Sequence, residues 1–195
     1  AQEMKQRATK ILDDRCMAIQ GGTFHSFANV LLRKYGNYIH LPQNFSILDS
    51  SETADVINLI RTQKKLHQRE RRFPRKEVIQ KVYSKSVNTG NSIKKIIEKD
   101  YPQFIDECLI LQSVWNEFQE FKKSKSLLDY DDLLLYLREL LENTEARKLI
   151  QSTVDYLIID EYQDTNPLQA EIAKYLCPQN IMAVSYTHLT LPTTD

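Results

Sequence analysis

The sequence predicts an α/β protein: a parallel β-sheet flanked by helices and interrupted by an inserted all-helical subdomain. Three observations carry that expectation. The run Val154-Asp155-Tyr156-Leu157-Ile158-Ile159 is short, apolar and partly β-branched, as expected of a strand buried on both faces of a parallel sheet. Strand-like runs alternate with helical patterns at both ends of the chain. Between them, residues 46–120 show only helical periodicity.

Taken in order, residues 3–12 suit a helix, with Met4, Ala8, Ile11 and Leu12 at helical spacing. Residues 15–20 read as a short strand, punctuated by Gly21-Gly22. A helix from His25 to about Tyr35 follows, with Phe27, Val30, Leu31 and Leu32 as its apolar stripe and Gly36 in the position of a helix-ending glycine. Leu41 to Phe45 reads as a linker. Asp49 and Glu52 have capping-box spacing and open a helix to about Lys65. Pro74 marks the next helix start, and Asn88-Thr89-Gly90 its end. A short helix spans Ser92 to Lys99, and a longer one follows Pro102 to about Lys122. Trp115, Phe118 and Phe121 form its aromatic stripe, read as core packing rather than base stacking. Helices are then expected from Asp129 to Leu141 and from Thr144 to Gln151. After the strand ending at Ile159, Asn166-Pro167 caps a helix to Leu176, and Ile181 to Val184 begins another strand.

The 195 residues are 42% apolar and 27% charged, the profile of a soluble globular chain. No apolar run approaches the roughly 20 residues that span a bilayer, so no membrane partner is expected. The opening Ala1-Gln2-Glu3-Met4-Lys5-Gln6-Arg7 has neither signal-peptide character nor an initiator Met, and reads as the interior of a larger protein. Cys16, Cys108 and Cys177 are far apart and odd in number, which suits reduced thiols of a cytoplasmic protein. His25, His40 and His67 are too scattered for a zinc site. Net charge is zero but uneven: residues 61–99 hold 13 Lys/Arg against 3 Asp/Glu. That stretch reads either as a phosphate-contacting surface or as solvated helix faces.

Two motifs carry chemistry. In Asp160-Glu161-Tyr162-Gln163-Asp164-Thr165-Asn166, paired carboxylates stand at the C-terminal end of the predicted parallel strand, where open α/β sheets bind ligands. A strand-end Asp can hold Mg²⁺, and a neighbouring Glu can orient an attacking water. Alone, such a pair is more often a surface cap. In Gly22-Thr23-Phe24-His25-Ser26-Phe27-Ala28, hydroxyl and imidazole donors meet helix-start amides, a phosphate-binding arrangement. Its plainer reading is a local cap with core-facing Phe24 and Phe27.

Together these runs resemble the UvrD/Rep/PcrA family of superfamily 1 DNA helicases. Asp160 to Asn166 is similar to that family's motif II, and Thr23 to Ser26 to its motif after the second strand. Residues 1–7 resemble the tail of motif Ia, and Leu128-Asp129-Tyr130-Asp131-Asp132-Leu133-Leu134 a segment upstream of motif II. The resemblance implies a RecA-like P-loop NTPase subdomain (residues 1–45 and 121–184) interrupted by a helical subdomain (46–120). It implies ATP and Mg²⁺ as cofactors, with Asp160 on the metal and Glu161 activating water as the catalytic pair, both counted as metal-site residues. Thr23, Phe24, His25 and Ser26 would meet single-stranded DNA, and Gln163 and Asp164 would couple the nucleotide site to DNA or to neighbouring loops. The implied activity is 3′→5′ translocation on single-stranded DNA and unwinding at single-strand/duplex junctions. The motor part of a helicase–nuclease and a non-catalytic DNA-binding remnant remain alternatives.

The chain also departs from the family. None of its four glycines is followed by Lys-Ser or Lys-Thr, so the phosphate-binding loop and its strand are missing and the chain alone is expected to be inactive. After Val184 the family's Gly-Asp does not follow. Residues 184–193 back-translate to a string resembling a transposase mosaic-end adapter, and residues 185–195 are read as a non-native tail.

Overall fold

The computed structural model describes residue 10 and residues 19–68, 73–177 and 179–185. The expected helix over 3–12 therefore lies outside the described residues except for helical Lys10. So does the expected strand over 15–20, except for Ile19 and Gln20, which are irregular. The described chain is mostly helical, with two small parallel sheets.

Helix α1 (Phe24–Tyr35) begins at Thr23 and buries Ala28, Leu31 and Leu32. Its end differs from expectation. Gly36 is not left-handed (φ −61°) but starts a 3-10 turn, and the left-handed residue is His40 (φ 57°). Gly36 answers a packing need instead: a Cβ there would sit 3.3 Å from that of Leu41. The linker that follows is anchored, with Leu41 and Phe45 buried. Arg33 lies 4.2 Å over the Phe45 ring and donates to the carbonyls of Gln43 and Phe45.

Strand β1 (Ser46–Ile47) leads into four helices. Helix α2 (Ser50–Gln63) has the Asp49/Glu52 capping box in place. Helix α3 (Lys76–Thr89) starts two residues beyond Pro74, because Phe73 and Pro74 are buried in the segment before it. It stops at Gly90, whose φ of 68° favours glycine. Helix α4 (Ile93–Asp100) is capped by Ser92. The single helix expected after Pro102 is instead a 3-10 turn (Pro102–Glu107) followed by α5 (Cys108–Ser124); Phe104 is non-helical and packs against the core of this region. Ile57, Ile60, Ile79, Val82, Tyr83, Ile96, Ile97, Leu111, Val114 and Phe118 form that core. Trp115 meets Tyr83 edge-on and Phe118 is in that core, so these two members of the aromatic stripe pack inward.

Strand β2 (Leu127–Leu128) returns beside β1 in parallel, closed by Ser46 N to Ser126 O and Leu48 N to Leu128 O at 2.7 Å. Helix α6 (Tyr130–Glu142) then crosses a second core. It buries Leu133, Leu134, Leu137, Leu140 and Leu141 against α1, α7 (Thr144–Gln151) and α8 (Pro167–Leu176). Strands β3 (Leu157–Ile159) and β4 (Ile181–Ala183) pair in parallel. The expectation that the 154–159 strand is buried on both faces is not met. Ile159 is buried, but Ile158 is 66% and Met182 61% exposed, since one face of this two-stranded ribbon meets no helix among the described residues.

The lopsided charge of residues 61–99 also folds away in part. Lys64 pairs with Glu117, Lys76 with Asp55 and Lys85 with Asp100, all carboxylates outside the basic stretch. Over residues 46–120 the balance is 13 Lys/Arg to 11 Asp/Glu.

Where α5 meets α6, Lys122 Nζ lies 2.6 Å from both Asp129 and Asp132, and all three residues are buried. Asp129 and Asp132 also form the capping box of α6. The ammonium sits 4.4 Å over the Phe118 ring. One cation against two carboxylates leaves a buried negative charge. Burial, then the Asp129 charge, pushes the Asp132 carboxyl up to about 6 against the opposing pull of Lys122. Breaking a buried ion cluster by removing one partner costs about 3–5 kcal/mol. Lys122→Met keeps the apolar stem and should lower the unfolding free energy by about that amount, read by urea denaturation.

A carboxyl whose pKa is higher folded than unfolded binds its proton more tightly when folded, so its ionisation opposes folding. The stability it contributes is full below about pH 4 and is lost as pH rises through about 6. Wild type should therefore gain stability relative to Asp132→Asn as pH falls from 7 to 4; a difference that does not vary with pH contradicts this.

Candidate functional site

The residues singled out by the sequence fall in two places. The first is the start of α1. Thr23 is the N-cap: its Oγ1 accepts from Ser26 N at 3.2 Å, and Ser26 Oγ donates to Thr23 O at 2.8 Å. Gly22 leaves room for this, since a Cβ there would lie 2.5 Å from Ser26 Oγ. Thr23 and Ser26 are exposed, whereas Phe24 and Phe27 pack against the core around α6. The local cap is thus real, and its hydroxyls still face solvent at a helix N-terminus, where the amide ends favour anions. His25 is half-buried, its ring edge-on to Tyr130 with centroids 5.8 Å apart. Burial lowers its pKa below the usual value, and the Asp131 charge opposes that shift.

The second place is the C-terminal end of β3. The ladder to β4 continues past Ile159, with Val184 N donating to Ile159 O and Tyr162 N to Val184 O. At that end Asp160 Oδ1 accepts from Glu161 N at 3.0 Å, and Glu161 takes the left-handed conformation (φ 50°). That conformation is uncommon for a residue other than glycine, and such strain concentrates at functional turns. Gln163 Nε2 donates to Glu161 Oε2, and Gln163 Oε1 accepts from Ser185 Oγ, the first residue of the segment read above as a non-native tail. Asp164 is exposed in the 3-10 turn Tyr162–Asp164. Asn166 then caps α8 through a reciprocal pair with Gln169.

Asp160 and Glu161 are exposed carboxylates one residue apart. No group of three or more His, Cys, Asp or Glu side chains that could enclose a metal occurs among the described residues. That donor set does not suit a caged ion such as structural zinc. It does suit Mg²⁺, which keeps several waters and takes one or two carboxylates together with substrate phosphates.

No hydrogen bond joins residues 23–26 to residues 160–164 among the described residues. They are linked indirectly, through side chains to which the sequence assigns no such role. Asp131 Oδ1 accepts from Ser84 Oγ (3.1 Å) and Asn88 Nδ2 (2.8 Å), and Asn88 Oδ1 accepts from Asn166 Nδ2 (2.8 Å). In the sequence the Asp129–Asp132 segment stands as a helix start within a run resembling a segment upstream of motif II, and Asn88 as part of a turn, neither with a bridging role. Dense carboxylates at the start of an otherwise leucine-rich helix were the available signal. No described helix is long and apolar enough to cross a membrane.

Comparison with known proteins agrees with this architecture. The model of the UvrD/REP helicase N-terminal domain matches residues 1–185. The ATP-dependent DNA helicase PcrA of Staphylococcus aureus is 27% identical over 177 residues, which is 90% of this chain and 23% of that protein. The PcrA of Bacillus subtilis is 29% identical over 189 residues, 94% of this chain and 24% of that protein. The chain thus spans about a quarter of the length of the curated relatives it matches. It belongs to the UvrD/REP helicase N-terminal domain family.

Proposed function

We propose that this chain is part of an ATP-dependent DNA helicase, contributing the carboxylates of the nucleotide site and one contact to single-stranded DNA. The observation that carries the reading is the placement of Asp160-Glu161 at the C-terminal end of β3, beside parallel β4, in a chain matched by the family model from end to end of its described part. In this reading residues 1–45 and 121–184 belong to a RecA-like unit and residues 46–120 are inserted in it. The separate apolar cores and the β1–β2 ladder, which holds the two ends of the inserted segment side by side, support that division.

The chemistry follows from the side chains. Asp160 would hold Mg²⁺, which supplies charge neutralisation on the transferring phosphate. Glu161 accepts a proton from the attacking water and orients it. Gln163 holds one oxygen of the Glu161 carboxylate through its amide. Asp164, in the turn behind it, belongs with Gln163 to the link with neighbouring segments. At the other end, Thr23 and Ser26 offer hydroxyls and the α1 N-terminus offers amides to a phosphate. Phe24 holds the loop to the core, and the His25 imidazole, whose pKa burial lowers, offers a ring N–H. Single-stranded DNA and its junctions with duplex, 3′→5′ movement and unwinding belong to the whole motor.

Glu161→Gln keeps the size and the left-handed turn but removes the base. In the full-length protein bearing this chain, turnover of ATP should fall by about 100-fold or more while affinity for single-stranded DNA is unchanged. Near-normal ATPase activity in that variant defeats the role given to Glu161.

A further inference from the structure

Asn88 stands in the last turn of α3, a helix whose buried face belongs to the core of residues 57–118, yet both ends of its side-chain amide leave that core. Its nitrogen donates to Asp131 in the first turn of α6, and its oxygen accepts from Asn166, the N-cap of α8. The same nitrogen reaches the carbonyl of Ser84 at 2.9 Å, and Ser84 Oγ donates to Asp131 as well. The orientation of the amide is set by these partners. Reversed, it would turn its oxygen toward the Asp131 carboxylate and its nitrogen toward the Asn166 amide nitrogen, opposing like groups on both sides. Neighbouring Val87 packs against the core around α6, so α3 is held at this point by apolar contact too.

The two helix starts that Asn88 joins are those next to the candidate functional segments. Tyr130, immediately before Asp131, bears the ring against which His25 rests. Asn166 ends the turn that begins at Asp160-Glu161 and is the first fixed point after it. We propose that Asn88 is a positioning residue that couples the DNA-contacting start of α1 to the carboxylate turn after β3, through Asp131 on one side and Asn166 on the other. It touches neither DNA nor nucleotide. The proposal rests on the motor reading above and adds to it a task for the inserted helices: they set the spacing between the two sites through one amide.

The test uses the full-length protein bearing this chain, with three readouts: ATP hydrolysis without DNA, ATP hydrolysis with saturating single-stranded DNA, and DNA affinity without nucleotide. Asn88→Ala removes the amide. Asn166→Asp keeps the α8 cap, because its carboxylate still accepts from Gln169 N, but it cannot donate to Asn88. Each variant should lower the stimulation of hydrolysis by DNA about fivefold or more, with the DNA-free rate and the DNA affinity unchanged. The double variant should be no worse than the more severe single one, because both remove the same link. Stimulation retained in Asn166→Asp overturns the proposal, as does a parallel fall in the DNA-free rate of both variants, which marks a purely structural role. A wild-type protein whose hydrolysis ignores DNA sinks the motor reading itself, a separate and distinguishable result.

Discussion

Two carboxylates from one helix start close on one buried ammonium, and much of the rest of the structure depends on that cluster. Helix α6 carries the largest share of the core around it, through Leu133, Leu134, Leu137, Leu140 and Leu141. Its first turn holds Asp129, Asp131 and Asp132, three acids close together in a buried setting. Acids near a helix N-terminus are favoured by the amide ends, but burying them needs compensating charge. Lys122, at 2% exposure, provides it for Asp129 and Asp132, while Asp131 is held by hydrogen bonds from the Ser84 hydroxyl and the Asn88 side-chain amide. Because Lys122 belongs to α5 and Asp129 directly follows β2, the cluster fixes the direction in which the chain leaves the helical segment and enters the core of α6.

The candidate functional segments inherit that placement. The start of α1 lies against α6, with His25 on Tyr130 and Phe24 and Phe27 in the core. Helix α8 packs along α6 and carries the turn of Asp160 to Asp164 at its head. Each segment is therefore referenced to the same helix, from opposite ends of the sequence. Exposed side chains can then be held without being buried: the charged residues at the end of β3 stay in solvent, and their backbone is set by the β3–β4 ladder and the Asn166 cap.

Legibility in the sequence followed how local each interaction is. The Asp49/Glu52 box, the Asn166-Pro167 cap and the bounds of α7 depend on neighbours within a turn, and they stand where spacing places them. The β1–β2 ladder does not, since two-residue strands paired across 81 positions leave no periodic signal. The burial of Lys122 leaves no local signal, because it depends on partners seven and ten residues away in another element. The charge of the basic stretch, residues 61–99, is partly offset for the same reason: acids that pair with it, Asp55, Asp100 and Glu117, lie outside it in sequence. Of the candidate site, Asp160 and Glu161 were visible from their place after an apolar run. The left-handed turn at Glu161 and the Asn88 bridge needed the folded chain.

One measurement tests the proposed motor role most directly: the rate of Mg²⁺-dependent ATP hydrolysis by the full-length wild-type protein, with and without single-stranded DNA. The account predicts hydrolysis that rises when DNA is added, since both sites are referenced to one helix. Hydrolysis that is absent, or equal in the two conditions, contradicts it.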